Sequence, residues 1–322
     1  MHLHSVAVGS KPGSVFLVLQ HAGRDMASII DEHYSTILQR NSKSDARCSR
    51  KINSSFDSPF SESDAKRLSL QLLDALSFLH GKGILHRDLK LSNLLYRFDE
   101  MKGGVLTLAD FGLARRIGFG KDWGLVKDST SKKIDGGGRK EGNISENHHD
   151  PRLTSKVVSL WYRPPELLFD ATDRYGRAID NWGAGCVIAE FLLGVPLFKG
   201  KNEIDQVRLM VETLGPPHQT EDRWPGRLSD LNLAMSSGKE SNGKNKEEWE
   251  NVSHKMMLSL LLDKFGDCIS SSSGITLLRN LLRYNPMNRL TAFEALESTW
   301  FHSRPSASDP RLMPRFSSTN IK

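Results

Sequence analysis

The chain has 322 residues, of which 38% are apolar and 25% charged; that is ample for a large core but slightly polar for a compact globule, and it points to solvated insertions. Its net charge of +6 is a small surplus of 44 Lys and Arg over 38 Asp and Glu, read as solvated surface, and no basic stripe with interleaved aromatics supports a nucleic-acid partner. Cys48, Cys186 and Cys268 fall in no metal-ligand or redox spacing and fit a reducing compartment, Val15–Leu19 is too short for a signal peptide, and Val187–Phe198 is broken by Glu190, Gly194 and Pro196 and cannot span a bilayer, so the chain reads as soluble and intracellular with no membrane partner.

In chain order, Lys11–Gly13 (Lys-Pro-Gly) predicts a turn, and Val15–Leu19 (VFLVL) a short buried strand after it. A helix is expected to start near Asp25. Residues 41–55 are polar, basic and aperiodic, an inserted loop. Ser61 is a credible N-cap with acidic Asp64 following it, and Leu68, Leu72, Ala75, Leu76 and Leu79 then recur at helical spacing until Gly81 and Gly83 end the helix. Leu94–Tyr96 and Val105–Ala109 read as a hairpin. Residues 118–150 have few apolar positions and no periodicity, as expected of disorder or a mobile loop. Asp180–Leu193 reads as a central buried helix. A second polar tract, 236–250, precedes helical leucine patterns at Leu258–Leu262 and Leu277–Leu282. No repeat and no alternation of strands with helices is visible, which argues against a doubly wound sheet.

The chemistry centres on His86-Arg87-Asp88-Leu89-Lys90-Leu91-Ser92-Asn93, followed by Asp110-Phe111-Gly112. In type, spacing and order these match the catalytic loop and metal loop of protein kinases. Phosphoryl transfer demands positioning and charge neutralisation more than covalent chemistry. Asp88 suits a group that accepts the hydrogen of a substrate hydroxyl and aims its oxygen. Lys90 can project a cation towards the transferred group, and Asn93 and Asp110 are hard oxygen donors suited to Mg²⁺. Either tripeptide alone would more often be an ordinary turn; their joint spacing is what a solvated loop does not explain.

Further on, Val157-Val158-Ser159-Leu160-Trp161-Tyr162-Arg163-Pro164-Pro165-Glu166 resembles the end of a kinase activation loop, with Pro164 where the motif has alanine. Asp180-Asn181-Trp182-Gly183-Ala184-Gly185 resembles the kinase helix whose aspartate holds the catalytic loop's backbone. Arg289, in Tyr284-Asn285-Pro286-Met287-Asn288-Arg289, is by the same resemblance the partner of Glu166 in a structural ion pair. With Pro196-Leu197-Phe198-Lys199-Gly200 and Glu203-Ile204-Asp205-Gln206, these segments look like the cyclin-dependent kinases. HRDLKLSNLL, ADFGLAR and DMASII most resemble the transcription- and splicing-linked branch.

The resemblance implies an α+β protein-kinase-like fold, essentially the helical C-lobe, hinge and a remnant of the N-lobe sheet. Its parts would be a remnant and hinge over 1–23, a C-lobe over 24–304 with inserts at about 41–55, 118–150 and 236–250, and a tail over 305–322. It implies ATP and Mg²⁺ as cofactors, transfer to Ser or Thr of protein substrates with a preference for a following proline, and a nuclear or cytoplasmic location, the nucleus favoured. By position, Leu19 would be the gatekeeper and Gln20 to Ala22 the hinge against adenine. Asp25 would sit near the ribose, with Leu95 and Ala109 as the pocket's floor, although core packing accounts for Leu19, Leu95 and Ala109 as well. Thr154 would be the activating phosphosite, received by Arg87 and Arg115. Ser159 and Arg163 would line the pocket beyond the acceptor residue.

A complete kinase carries a glycine-rich flap, a lysine strand and a glutamate helix before the hinge, and nineteen residues before Gln20 are too few for them. Val6-Ala7-Val8-Gly9 has glycine where the lysine should be, Gly118-Phe119-Gly120 comes after Asp110-Phe111-Gly112, and Gly194–Lys201 misses the phosphate-loop spacing. The 322 residues alone are therefore expected to bind nucleotide weakly and turn over little, with Leu95 and Ala109 left exposed. A cyclin is the implied partner, its gripping helix lying in the missing region. The alternative is a kinase-like lobe that docks partners without catalysis.

Overall fold

The computed structural model describes residues 2–11, 13–43, 58–117, 158–170, 175–217 and 254–316. Strands β1 (Leu3–Val8) and β2 (Val15–Leu19) form an antiparallel hairpin; β3 (Arg24–Asp25), β5 (Leu94–Asp99) and β6 (Gly103–Leu108) form a second sheet; β4 (Ile84–Leu85) and β7 (Arg115–Arg116) pair as a third. The helices among the described residues are α1 (Met26–Lys43), α2 (Glu62–Gly81), α3 (Ala178–Leu193), α4 (Glu203–Leu214), α5 (His254–Phe265), α6 (Ser272–Leu281) and α7 (Ala292–Leu296). The arrangement is α+β, dominated by helix.

Helix α2 starts where its sequence places it. Ser61 Oγ accepts the Asp64 N–H, and Asp64 Oδ2 accepts the Ser61 N–H at 3.1 Å, a reciprocal capping box. Leu68, Leu72 and Leu76 of the expected stripe are buried, Ala75 and Leu79 are partly so, and Leu73 joins them. Gly83, with φ +71°, turns the chain into β4. Helix α3 is the hub: every residue from Ile179 to Leu193 is buried. A helix apolar on all sides needs neighbours on all sides, and α3 packs on α2 and α6. Two glycines permit close approach: a Cβ at Gly183 would lie 2.9 Å from Leu89 Cβ, in the segment before β5, and one at Gly185 would lie 2.9 Å from Leu282 Cδ2, at the end of α6.

Three expectations need correction. Val15–Leu19 is a strand, and the Lys11–Gly13 turn before it forms with Gly13 at φ +80°, but the strand is exposed throughout. Leu19 is 40% exposed rather than packed in a core, because β1 and β2 bond only to each other and no further layer among the described residues covers either face. The first residues of the loop expected over 41–55 are helical, since α1 runs on to Lys43; residues 44–55 lie outside the described residues. Third, the pocket floor is not laid bare: Ala109 is buried and Leu95 half-buried, since β5 lies between β3 and β6. The inserts over 118–150 and 236–250 lie outside the described residues.

Past α7 the chain doubles back across α2 and the β5–β6 hairpin. Lys66, fully buried, donates to the Ser303 and Pro305 carbonyls at 3.0 and 2.7 Å; Arg67 Nε donates to Ser308 O at 2.6 Å; and Tyr96 Oη donates to Pro314 O at 2.7 Å. Gly104 makes room, for a Cβ there would meet Met313 Cβ at 2.7 Å.

Candidate active site

The catalytic loop hangs from α3 by one carboxylate. Asp180 Oδ1 accepts the Arg87 N–H at 2.8 Å, and Oδ2 accepts the His86 N–H and a bond from His80 Nε2, each at 2.9 Å. Burial raises the Asp180 carboxyl, but the bond and charge of His80 and the two backbone N–H groups outweigh it and hold it below its ordinary value. Arg87 takes φ +68°, a conformation uncommon outside glycine, and its side chain stays ordered on Leu113 O and Tyr175 Oη. His86 bonds the Ala109 carbonyl at 2.9 Å and meets the Phe111 ring edge-on, which ties this loop to the segment carrying Asp110. His80 and Tyr175 had no sequence signal; a histidine at the end of an amphipathic helix reads as surface.

Asp88 is the convergence point. Its Oδ2 is 2.7 Å from Lys90 Nζ and 3.1 Å from Asn93 Nδ2, and its Oδ1 accepts from Ser159 N and Oγ at 3.4 and 3.3 Å. Burial pushes the carboxyl up, yet the Lys90 bond and charge, the Ser159 N–H and the Asn93 amide prevail and hold it below the usual aspartate value. A carboxylate so stabilised is ionised near neutral pH and suits orienting a hydroxyl more than fully deprotonating it. Ser159, expected in the substrate pocket, touches the Asp88 carboxylate.

Asn93 is buried, with its Nδ2 committed to Asp88 O at 2.8 Å, an orientation that leaves Oδ1 for a cation. Asp110 stands exposed at φ +60°, its Oδ1 accepting the Gly112 N–H at 3.2 Å. Ala109 N donates to Asn93 O at 2.9 Å, which sets the segments carrying Asn93 and Asp110 side by side. No cluster of three or more His, Cys, Asp or Glu among the described residues could hold a metal by itself. Two oxygen donors instead fit Mg²⁺, which keeps waters and is shared with phosphates.

The nucleotide candidates fall into two groups. Asp25 and Leu95 are cross-strand partners in β3–β5; Ala22, buried, lies three residues before Asp25, and Ala109, also buried, follows Leu108, the cross-strand partner of Leu94; Asp25 caps α1 by accepting Ser28 N and Oγ at 2.8 and 2.7 Å. Leu19 and Gln20 lie at the exposed hairpin's end. Arg115 pairs with Leu85, two residues before Arg87, so the two candidate phosphate receivers sit on adjoining segments. Thr154 lies outside the described residues.

Arg163 Nε and Nη2 donate to the Val158 carbonyl at 3.2 and 3.1 Å, and Nη1 pairs with Glu203 Oε1 at 2.7 Å. Val158 is held at φ +76°. The Glu166–Arg289 pair is bidentate and buried, at 2.5 and 2.6 Å, with the guanidinium also bonded to the Arg283, Ala178 and Tyr284 carbonyls.

Comparison with known proteins bears on this geometry directly. The protein kinase domain family matches residues 26–301. Cyclin-dependent kinase 10 of Bos taurus is 35% identical over 316 residues, 98% of this chain and 66% of that protein. The chain belongs to the protein kinase family, in its cyclin-dependent group. Cyclin-dependent kinase G1 of Arabidopsis thaliana is 33% identical over 317 residues, 98% of this chain and 40% of that kinase. This chain thus spans about two thirds of the first relative's length and well under half of the second's. Among solved kinases, the yeast RNA Pol II CTD kinase CTDK-1 complex gives a TM-score of 0.61 at 27% identity, covering 96% of this chain and 78% of that one. The CAK complex from Chaetomium thermophilum bound to ATP-gamma-S gives 0.63 at 28% identity, covering 98% and 75%.

Proposed function

We propose that this protein is a serine/threonine protein kinase of the cyclin-dependent type, acting on hydroxyls followed by proline. The observation that carries the reading is the convergence of Lys90, Asn93 and Ser159 on the Asp88 carboxylate. ATP, when bound, supplies the transferable phosphoryl group. Asp88 accepts the hydrogen of the substrate hydroxyl and points its oxygen for in-line attack, and Lys90 offsets the negative charge that develops beside it. Asn93 and Asp110 would hold Mg²⁺, which would supply charge neutralisation for the phosphates. Leu95, Ala109, Ala22, Leu19 and Gln20 face the base, and Asp25 the ribose.

The proline preference draws on Val158 and Arg163. With its carbonyl turned onto the guanidinium, Val158 offers no acceptor to a substrate N–H. A buried N–H without a partner is costly, and proline alone has none to lose. Arg87 and Arg115 fit the receivers of a phosphate on Thr154. A cyclin partner is inferred from the names of the relatives, and a nuclear location from the CTD kinase among the structural neighbours.

The test is transfer of labelled phosphate from Mg·ATP to paired Ser-Pro and Ser-Ala peptides by the wild type and its variants, each extended upstream by a complete N-lobe. Asp88→Asn is expected to lower kcat by at least about a thousandfold with the fold unchanged, since it removes the group that orients the nucleophile. Equal turnover by the variant would overturn the reading. A second reading, a lobe that docks partners without turnover, draws on the exposed β1–β2 hairpin; no transfer by the wild type with any peptide would favour it.

A further inference from the structure

We infer that Glu203, on the first turn of α4, is a positioning residue for proline selection: it fixes the guanidinium of Arg163 so that the Val158 carbonyl stays turned away from the substrate. The inference rests on the proline-directed reading above and names the residue on which that selectivity depends.

Val158 is a β-branched residue at φ +76° and buried, a strained conformation that persists only where surrounding contacts enforce it. Among the described residues, the Arg163 fork, Nε at 3.2 Å and Nη2 at 3.1 Å, holds its carbonyl. A guanidinium is planar, so fixing one edge sets the direction of the other. Glu203 Oε1, 2.7 Å from Nη1, fixes that edge.

Glu203 is itself firmly placed. Asn202 caps α4 by accepting the Asp205 N–H at 2.9 Å. The loop before it is tied to the same segment that carries Arg163: Trp161 Nε1 donates to Gly200 O at 3.1 Å, while Gly200 N donates to buried Gln206 Oε1 at 3.0 Å. Gly200 admits no side chain, since a Cβ there would meet Gln206 at 2.5 Å. The segment Ser159–Arg163 and the start of α4 therefore form one braced unit, with Glu203 as the charged contact between them.

Without the carboxylate, the fork loses one of its anchors, Val158 is free to relax to an ordinary φ, and its carbonyl becomes an acceptor that a Ser-Ala peptide can use. The signature is relaxed selectivity rather than lost binding. Glu203 side-chain exposure of 35% argues that the fold tolerates its replacement.

The experiment titrates matched Ser-Pro and Ser-Ala peptides against the wild-type chain, Glu203→Ala, Glu203→Gln, Arg163→Ala and the double variant, reading Kd by NMR. Wild type is expected to favour Ser-Pro by about tenfold, the worth of one unpaired N–H. Glu203→Ala should bring the ratio to roughly twofold or less by tightening Ser-Ala binding, with Glu203→Gln in between because it keeps a hydrogen bond. The double variant should be no less selective than Arg163→Ala, as expected if Glu203 acts through that arginine. Selectivity retained in Glu203→Ala, or an equal loss for both peptides, would overturn the inference and leave proline direction intact. A wild type that does not discriminate would overturn proline direction and this inference with it.

Discussion

Glu190 sits in α3 with Tyr162 Oη donating to its Oε2 at 2.7 Å, a link between the hub helix and the segment that follows the activation loop. Burial raises its carboxyl to about 7; the Tyr162 bond lowers it, Asp31 raises it and Lys199 lowers it. Tyr162 is itself pushed up, by burial first and then by the nearby Glu190. Between the ordinary glutamate value of 4.5 and about 7, the folded chain binds the proton that the unfolded chain has released. This contribution to stability is whole below 4.5 and lost as the pH rises through about 7. Glu190→Gln keeps an acceptor for Tyr162 and carries no charge. The variant's Tm should match the wild type's near about pH 5 and exceed it by several degrees near about pH 8. Thermal melts across that range check the point, and a gap independent of pH would refute it.

Among the elements, the strap over 303–316 joins the C-terminal residues to α2 and to the hairpin that leads into Asp110. It is recognised largely through its backbone, with Lys66, Arg67 and Tyr96 each bonding a carbonyl of the strap. Phe316 adds edge-on ring contacts with Tyr96 and Phe60. The close approach at Gly104 makes it sensitive to volume. Gly104→Val would place its Cβ 2.5 Å from Tyr96 Oη and 2.7 Å from Met313 Cβ. We expect it to displace Met313, cost about 1–3 kcal/mol, and open residues 303–316 to hydrogen exchange and proteolysis. Unchanged exchange in that segment would show that the strap does not depend on the gap at Gly104.

At the scale of the whole molecule, the described residues divide into a packed helical body and a β1–β2 hairpin that no other described layer covers. Val15, Leu17 and Leu19 project to one side of β2 and Phe16 and Val18 to the other, and all five are at least 40% exposed. Strands apolar on both faces are the kind that sit inside a sheet covered on both sides. Two free edges and two apolar faces favour association. The 322-residue chain is expected to self-associate with rising concentration, and Phe16→Lys with Leu17→Lys, one on each face, should make it monodisperse by light scattering without lowering Tm. Association that persists in this double variant would locate the contact elsewhere.

Much of this was legible in the residues themselves, and the boundary has a physical cause. Local order announces itself: Ser61 and Asp64, three residues apart, each accept the other's backbone N–H, the α2 leucines repeat at helical spacing, and Gly13 and Gly83 mark turns at positive φ. The candidate site was also visible, because the order and spacing of Asp88, Lys90, Asn93 and Asp110 suit phosphoryl transfer, and the fold brings Lys90 and Asn93 onto Asp88. What no spacing reports is contact across the fold. His80 and Asp180 are 100 residues apart, Arg163 and Glu203 40, and Lys66 and Pro305 239. Burial is of the same kind. The apolar run Val15–Leu19 asks to be covered, but whether a layer exists to cover it depends on the neighbours that the folded chain supplies, and only the tertiary structure settles that.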